Sequence, residues 1–137
     1  MAIPREINIL IVDDFYATRK TLKKSLKALG FCGEIFEADQ VRLARDLLIN
    51  NPLFIKFDFI ISDVDMPGES GLDLLSFVKS HDSFAKIPFL ILSAVTSKSV
   101  VLDAIEKGVD SYILKPWDDQ SLLKKMENSW AKVKASK

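Results

Sequence analysis

Short apolar runs alternate five times with longer amphipathic stretches along this chain, and no other feature restricts its fold as tightly. The runs Ile7–Val12, Ile35–Ala38, Phe57–Ser62, Phe89–Ser93 and Tyr112–Leu114 are short and bounded by breakers or charges, which predicts strands. Between them apolar residues recur at helical spacing. Leu22, Leu26 and Leu29 share one face, then Val41, Ala44 and Leu48, then Leu74 and Val78. Leu102 and Ile105 follow, and Leu122, Met126, Trp130 and Val133 close the series. Asp14, Ser70, Ser97 and Asp118 stand where helices should start, and Gly30 and Gly108 where two should stop. Pro52 ends the second helix within a loop, Asn50–Lys56.

A (βα)5 alternation predicts an α/β three-layer sandwich, with a parallel five-stranded sheet between two layers of helices. Strands one, three and four are near-continuous Ile, Leu, Val and Phe, as expected for strands covered on both faces. Strands two and five are shorter and more polar, which places them at the edges. The order 2-1-3-4-5 satisfies both conditions, and it is the flavodoxin-like arrangement. The 137 residues suffice for one domain, 1–137, with no internal repeat and no separate output domain.

Lys plus Arg equals Asp plus Glu at 19 each, so bulk charge gives no reason to expect nucleic acid or an anionic membrane as partner. Arg19, Lys20, Lys23, Lys24 and Lys27 fall at helical spacing and read as a solvated face. No apolar stretch reaches the roughly 18 residues of a membrane span, and Met1–Glu6 leaves no room for a signal peptide. Cys32 stands by itself, which removes a disulfide framework and suits a small filler beside the turn Gly30–Gly33. These features point to the cytoplasm. His81, the single histidine, falls near the end of the third helix, where it can satisfy terminal carbonyls.

In a sheet of this order, ligands sit beyond the carboxyl ends of the strands, near the switch between strands one and three. Strand one ends in Asp13-Asp14, strand three in Asp63, strand four in Ser93 and strand five in Lys115-Pro116. Each residue alone has a plainer reading as a cap, a turn residue or a surface lysine. Together they form a set. Carboxylates from adjacent strands cannot all stay ionised without compensation, and an all-oxygen site suits Mg²⁺. Lys115 adds a point charge and Ser93 a hydroxyl, both suited to a phosphoryl oxygen. A carboxylate nucleophile, a metal, a cation and a hydroxyl make a site for aspartyl-phosphate formation.

These residues resemble the response-regulator receiver family of two-component signalling, most closely its stand-alone chemotaxis members. Ile11–Phe15 is similar to the family's acidic pair, Ser62–Pro67 to its phosphoacceptor motif and Tyr112–Trp117 to its lysine-proline motif. The resemblance runs from about Ile7 to Val133. It implies that Asp63 takes a phosphoryl group from a sensor histidine kinase or phosphotransfer protein, with Mg²⁺ required. Asp14, Asp63 and the backbone carbonyl of Asp65 would ligate the ion, with Asp13 acting partly through water. Ser93 would bond the phosphoryl group, Lys115 would pair with it, and a cis peptide would precede Pro116. Ser93 and Tyr112 would be the switch pair, reshaping the surface of the fourth helix, fifth strand and fifth helix. The output would be the binding of an effector protein, such as a flagellar motor switch component, or a step in a phosphorelay. Such a chain catalyses only its own phosphorylation and dephosphorylation.

The chain departs from the family pattern in places. Asp65 stands where many chemotaxis members carry a neutral residue, and Val95 where relatives are often polar. Both positions tune hydrolysis of the acyl phosphate in the family. Gln40-Val41 replaces a frequent Asp-Gly, and the loop before strand three is longer than usual.

Two other functions compete. A haloacid-dehalogenase-like phosphatase also orders Asp-x-Asp, Ser, Lys and an acidic pair, matched here by Asp63-Val64-Asp65, Ser93, Lys115 and Asp118-Asp119. Against it, Asp118-Asp119 falls where a helix must start, and Asp13-Asp14 already ends strand one. The other is a phosphate-independent binding module, which retention of every chemical residue disfavours.

Overall fold

A computed structural model of the chain describes residues 2–94 and 97–135. Five strands, β1 (Ile9–Val12), β2 (Ile35–Ala38), β3 (Phe59–Ser62), β4 (Phe89–Ser93) and β5 (Ser111–Leu114), alternate with five helices. The helices are α1 (Tyr16–Ala28), α2 (Val41–Ile49), α3 (Gly71–Ser80), α4 (Lys98–Glu106) and α5 (Asp119–Ala135). All strand pairs are parallel, in the order β2-β1-β3-β4-β5 expected from the polarity of the edge strands.

Alternation along each strand splits the apolar residues between two cores. Ile9, Ile11, Phe59, Ile61, Leu90 and Leu92 face Leu22 and Leu26 of α1 and Leu122, Met126 and Trp130 of α5. Leu10, Val12, Ile60, Phe89 and Ile91 face Val41, Ala44 and Leu48 of α2, Leu74 and Val78 of α3 and Ala104 of α4. β1, β3 and β4 are therefore buried on both sides, which is why their sequences are continuously apolar.

Two strands begin later than their apolar runs predict. Asn8 and Asp58 take over the backbone there. The Asp58 carboxylate accepts the Asn8 N–H, while the Asn8 amide donates to the Lys56 carbonyl and accepts from Glu34 N–H. Side-chain bonds thus flank the Asp58 N–H to Asn8 carbonyl bond where the sheet begins.

Helix ends follow the glycine signals and only some of the cap signals. Gly30 and Gly108 adopt φ of 93° and 89°, and each closes its helix with paired bonds from itself and the next residue. Ser70 forms a reciprocal capping box with Asp73 at the start of α3. The Asp118 carboxylate accepts from both the N–H and the hydroxyl of Ser121. Asp14 does not cap, whereas Ser97 stands at the N-cap of α4 as expected but makes no side-chain cap bond. Phe15 occupies the cap position of α1 without a side-chain bond, and the Ser97 hydroxyl pairs with Ser99 instead.

Two minor expectations also change. Cys32 is exposed rather than filling space, and His81 uses Nδ1 to accept the Ser83 N–H while its ring stacks on Phe84. The peptide before Pro116 is cis. No helix among the described residues is long and apolar enough to cross a membrane.

Candidate functional site

The parallel ladder continues one residue past the strands, and there it holds three of the residues singled out from the sequence. Asp63 N–H donates to the Val12 carbonyl, Asp13 N–H to Ala38, and Lys115 N–H to Ser93. Asp13, Asp63 and Lys115 are thereby fixed at the same edge by backbone bonds, before any side chain contributes. Ser93 is the last residue of β4, level with Leu114.

The side chains converge. Asp13, Asp14 and Asp63 each present an oxygen within 4.8 Å of the others. Asp13 and Asp63 are only 3% and 6% exposed. The Lys115 ammonium donates to Asp13 Oδ2 at 2.8 Å and to Asp63 Oδ2 at 3.3 Å. The second oxygens are held by the backbone, since Phe15 N–H donates to Asp13 Oδ1 at 2.9 Å and Val64 N–H to Asp63 Oδ1 at 2.7 Å. Burial by itself pulls the Lys115 ammonium down, but the hydrogen bond and charge of Asp13, aided by Asp63, raise it above its ordinary value.

One ammonium does not balance three carboxylates. Asp14 Oδ1 is buried and makes no hydrogen bond, an arrangement that ordinarily loses free energy unless a cation or donor meets it. The donor set is all carboxylate and the uncompensated charge is negative, so these residues fit a hard divalent ion such as Mg²⁺.

Asp65 is exposed and shares one pocket with Asp63, Ser93, Lys115, Phe15 and Thr18. Ser93 is buried, and Tyr112 on the edge strand is half-buried with a side-chain hydrogen bond to Ser93. Burial raises the Tyr112 phenol above its ordinary value, the Ser93 bond opposes this, and the charges of Asp63 and Asp65 add to it.

Four contributors escape a reading based on chemical residues alone. A Cβ on Gly71 would collide with the carbonyl of Asp63, while the Gly71 N–H donates to Val64 O at 2.8 Å. Glycine here lets α3 begin against the backbone that carries Asp63; a glycine directly after a helix-capping serine is the available sequence signal. Arg19 donates to the Asp13 carbonyl at 2.8 Å and is itself oriented by Glu37. Phe15 and Tyr16, both largely exposed, form an apolar rim beside the acidic pair.

Other sequence candidates lie elsewhere. Trp117, which ends the lysine-proline motif, leans on the α1–α5 core and donates Nε1–H to Ser25 Oγ at 3.1 Å. Asp118 is occupied by Ser121, whose N–H and hydroxyl hold its carboxyl below the ordinary range. It begins a helix rather than ending a strand, contrary to the phosphatase order. Val95 lies outside the described residues.

Residues 9–127 match the family model of the response regulator receiver domain. The chain belongs to that family. It is 35% identical over 127 residues to the chemotaxis protein CheY of Pseudomonas aeruginosa, covering 93% of this chain and 98% of that one. It is 32% identical over 129 residues to CheY-3 of Vibrio cholerae, covering 94% and 95%. Among solved structures, a response regulator receiver protein from Pseudomonas putida superposes with a TM-score of 0.76 at 29% identity, covering 90% of this chain and 98% of that one. The receiver fold therefore accounts for the whole of the sheet and its carboxylate end, and the phosphatase reading falls away.

Proposed function

We propose that this receiver works as a phosphorylation switch in the cytoplasm, with Asp63 as the phosphoacceptor. One observation carries the reading: Asp63 is buried beside Asp13 and Asp14, with Lys115 bridging Asp13 and Asp63.

The donor is a phosphohistidine on a kinase or phosphotransfer protein. A carboxylate oxygen of Asp63 attacks phosphorus, the N–P bond breaks, and the imidazole leaves with the electron pair. Val64 N–H holds Oδ1 in a fixed orientation, leaving Oδ2 to face the incoming group. Lys115 turns from Asp63 toward a phosphoryl oxygen while keeping its bond to Asp13, and the Ser93 hydroxyl donates to another. Asp13, Asp14, Asp63 and the Asp65 carbonyl would hold Mg²⁺, which supplies charge neutralisation to the transferring phosphoryl group. The exposed rings of Phe15 and Tyr16 offer the partner an apolar contact beside the site.

Readout passes through Ser93 and Tyr112. A Ser93 hydroxyl drawn to the phosphoryl group changes its bond to Tyr112, and the ring repositions on β5. Leu102 and Ile105 of α4 and Leu114 of β5 are exposed apolar residues on either side, so the movement alters a surface suited to an effector protein. Flagellar motor switching and relay to another phosphotransfer protein both use such an effector. The chain is a switch whose only catalysis concerns its own phosphoryl group.

Incubation with acetyl phosphate tests the reading. An alkali-labile phosphoryl adduct should form with Mg²⁺ and be prevented by EDTA. A chain that stays unlabelled under both conditions would instead be a phosphate-independent binding module.

A further inference from the structure

At the end of the sheet opposite the carboxylates lies a groove of about 300 Å³ lined by both apolar and polar residues. Ile55, Phe84 and Ile87 form part of its wall, and Lys56, Lys86 and Lys134 stand around it. Asp58 is the carboxylate in the lining, and it is already engaged by the Asn8 N–H and lies 3.8 Å from Lys56. Lys86 is exposed, and Lys134 rests over the Trp130 ring. No carboxylate among the described residues pairs with either. Three ammonium groups against one occupied carboxylate give the groove a net positive rim.

The loop beside the groove is built rather than slack. Asn51 clamps Ile55 from both sides, its Oδ1 accepting the Ile55 N–H and its Nδ2 donating to the Ile55 carbonyl. Phe54 N–H closes the turn onto the Asn51 carbonyl at 3.0 Å. Within that clamp Phe54 adopts φ of 53°, a left-handed conformation that bulky residues disfavour. It is also 91% exposed, and its neighbour Leu53 is 78% exposed. Folding gains little from either side chain where it stands, so a strained turn presents two large apolar groups to solvent beside a lysine-rimmed groove with apolar residues in its wall.

We propose that this groove docks an acidic segment of a partner protein. One large apolar side chain of that segment enters beside Ile55 and Phe84, Phe54 and Leu53 cover it, and carboxylates on either side meet Lys56, Lys86 and Lys134. Charge complementarity selects the partner, and the apolar anchor holds it. Docking here leaves the Asp13–Asp63 end open, so one partner can stay bound through phosphorylation and dephosphorylation.

The probe is a synthetic peptide of about 12 residues in which glutamates flank a central Leu-Phe pair, a length suited to one groove. Titrated into the ¹⁵N-labelled chain, it should give saturable shifts centred on Ile55, Phe84 and Lys86. The double variant K56E/K86E should weaken binding by roughly ten-fold or more. K20E/K24E, on the exposed face of α1, should leave it unchanged. Phe54→Asn should weaken binding while the melting temperature holds or rises, since Asn tolerates positive φ. Equal binding of a peptide with lysines in place of glutamates, shifts spread over the α1 lysines, or no saturable shift would overturn the proposal. A concentration-dependent dimer abolished by Phe54→Asn would also overturn it, assigning the groove to a second copy of the chain.

Discussion

At the scale of single residues, the site is built from contacts that differ in how visible they are. Asp13, Asp14, Asp63 and Lys115 announce themselves by type and place, because each follows a strand whose apolar run is plain. Gly71 does not, because its function is to have no side chain. Gly71→Ala should push the start of α3 away from the Asp63 carbonyl, lowering stability by about 2 kcal/mol or more. Urea denaturation measures the loss, and the Mg²⁺ dependence of labelling should deteriorate with it.

Lys115 makes a second prediction. Its folded value lies above the ordinary 10.5, so its stabilising bonds are complete below that pH and are lost as pH rises through the higher folded value. The stability difference between wild type and Lys115→Met should therefore stay level from neutral pH to about pH 10 and shrink above it. A difference that shrinks below pH 9 or so would contradict the pairing.

Asp65 concerns kinetics rather than stability. Its exposed carboxylate shares the Asp63 pocket, so in the proposed switch it would stand near the water that attacks the acyl phosphate. Asp65→Asn should lengthen the dephosphorylation half-life by roughly ten-fold, followed as decay of the labelled adduct. An unchanged half-life would remove Asp65 from the chemistry.

At the scale of elements, helix starts were less legible than helix stops. Glycine at a helix end acts through its own backbone, so Gly30 and Gly108 performed the role their positions indicate. A polar cap acts through a side chain that other demands can claim. Asp14 is turned to the carboxylate cluster and Ser97 to Ser99, whereas Ser70 has Asp73 to complete its capping box. Ser70→Ala should accordingly lower stability by about 1 kcal/mol, while Ser97→Ala should change it by less than half of that. Thermal melts of the two variants test the contrast. Strand starts were overextended for a related reason: the side chains of Asn8 and Asp58 bond to the backbone where the strands begin, and periodicity of apolar residues carries no sign of that.

At the scale of the molecule, strand order was readable because burial on two faces leaves a compositional mark that burial on one face does not. β1, β3 and β4 carry it, β2 and β5 lack it, and the 2-1-3-4-5 order follows. The same order brings four strand ends to one edge, so the site's location was legible along with the fold. The groove beyond Asn51 was not. It depends on a turn clamped by one amide and on lysines distant in sequence, which no periodic pattern joins. The two ends of the sheet thus present different chemistry: acidic where phosphoryl transfer is proposed, and basic and apolar where a partner is proposed to dock.

The claim that unites the account is that Asp63 carries the phosphoryl group. Borohydride reduction of the chain after acetyl phosphate and Mg²⁺ treatment, followed by peptide mass mapping, reads the position directly. Homoserine should appear at position 63 in the wild-type chain, and Asp63→Asn should not be labelled. Modification of Asp13, Asp14 or Asp65 in the wild type, or full labelling of Asp63→Asn, would contradict it.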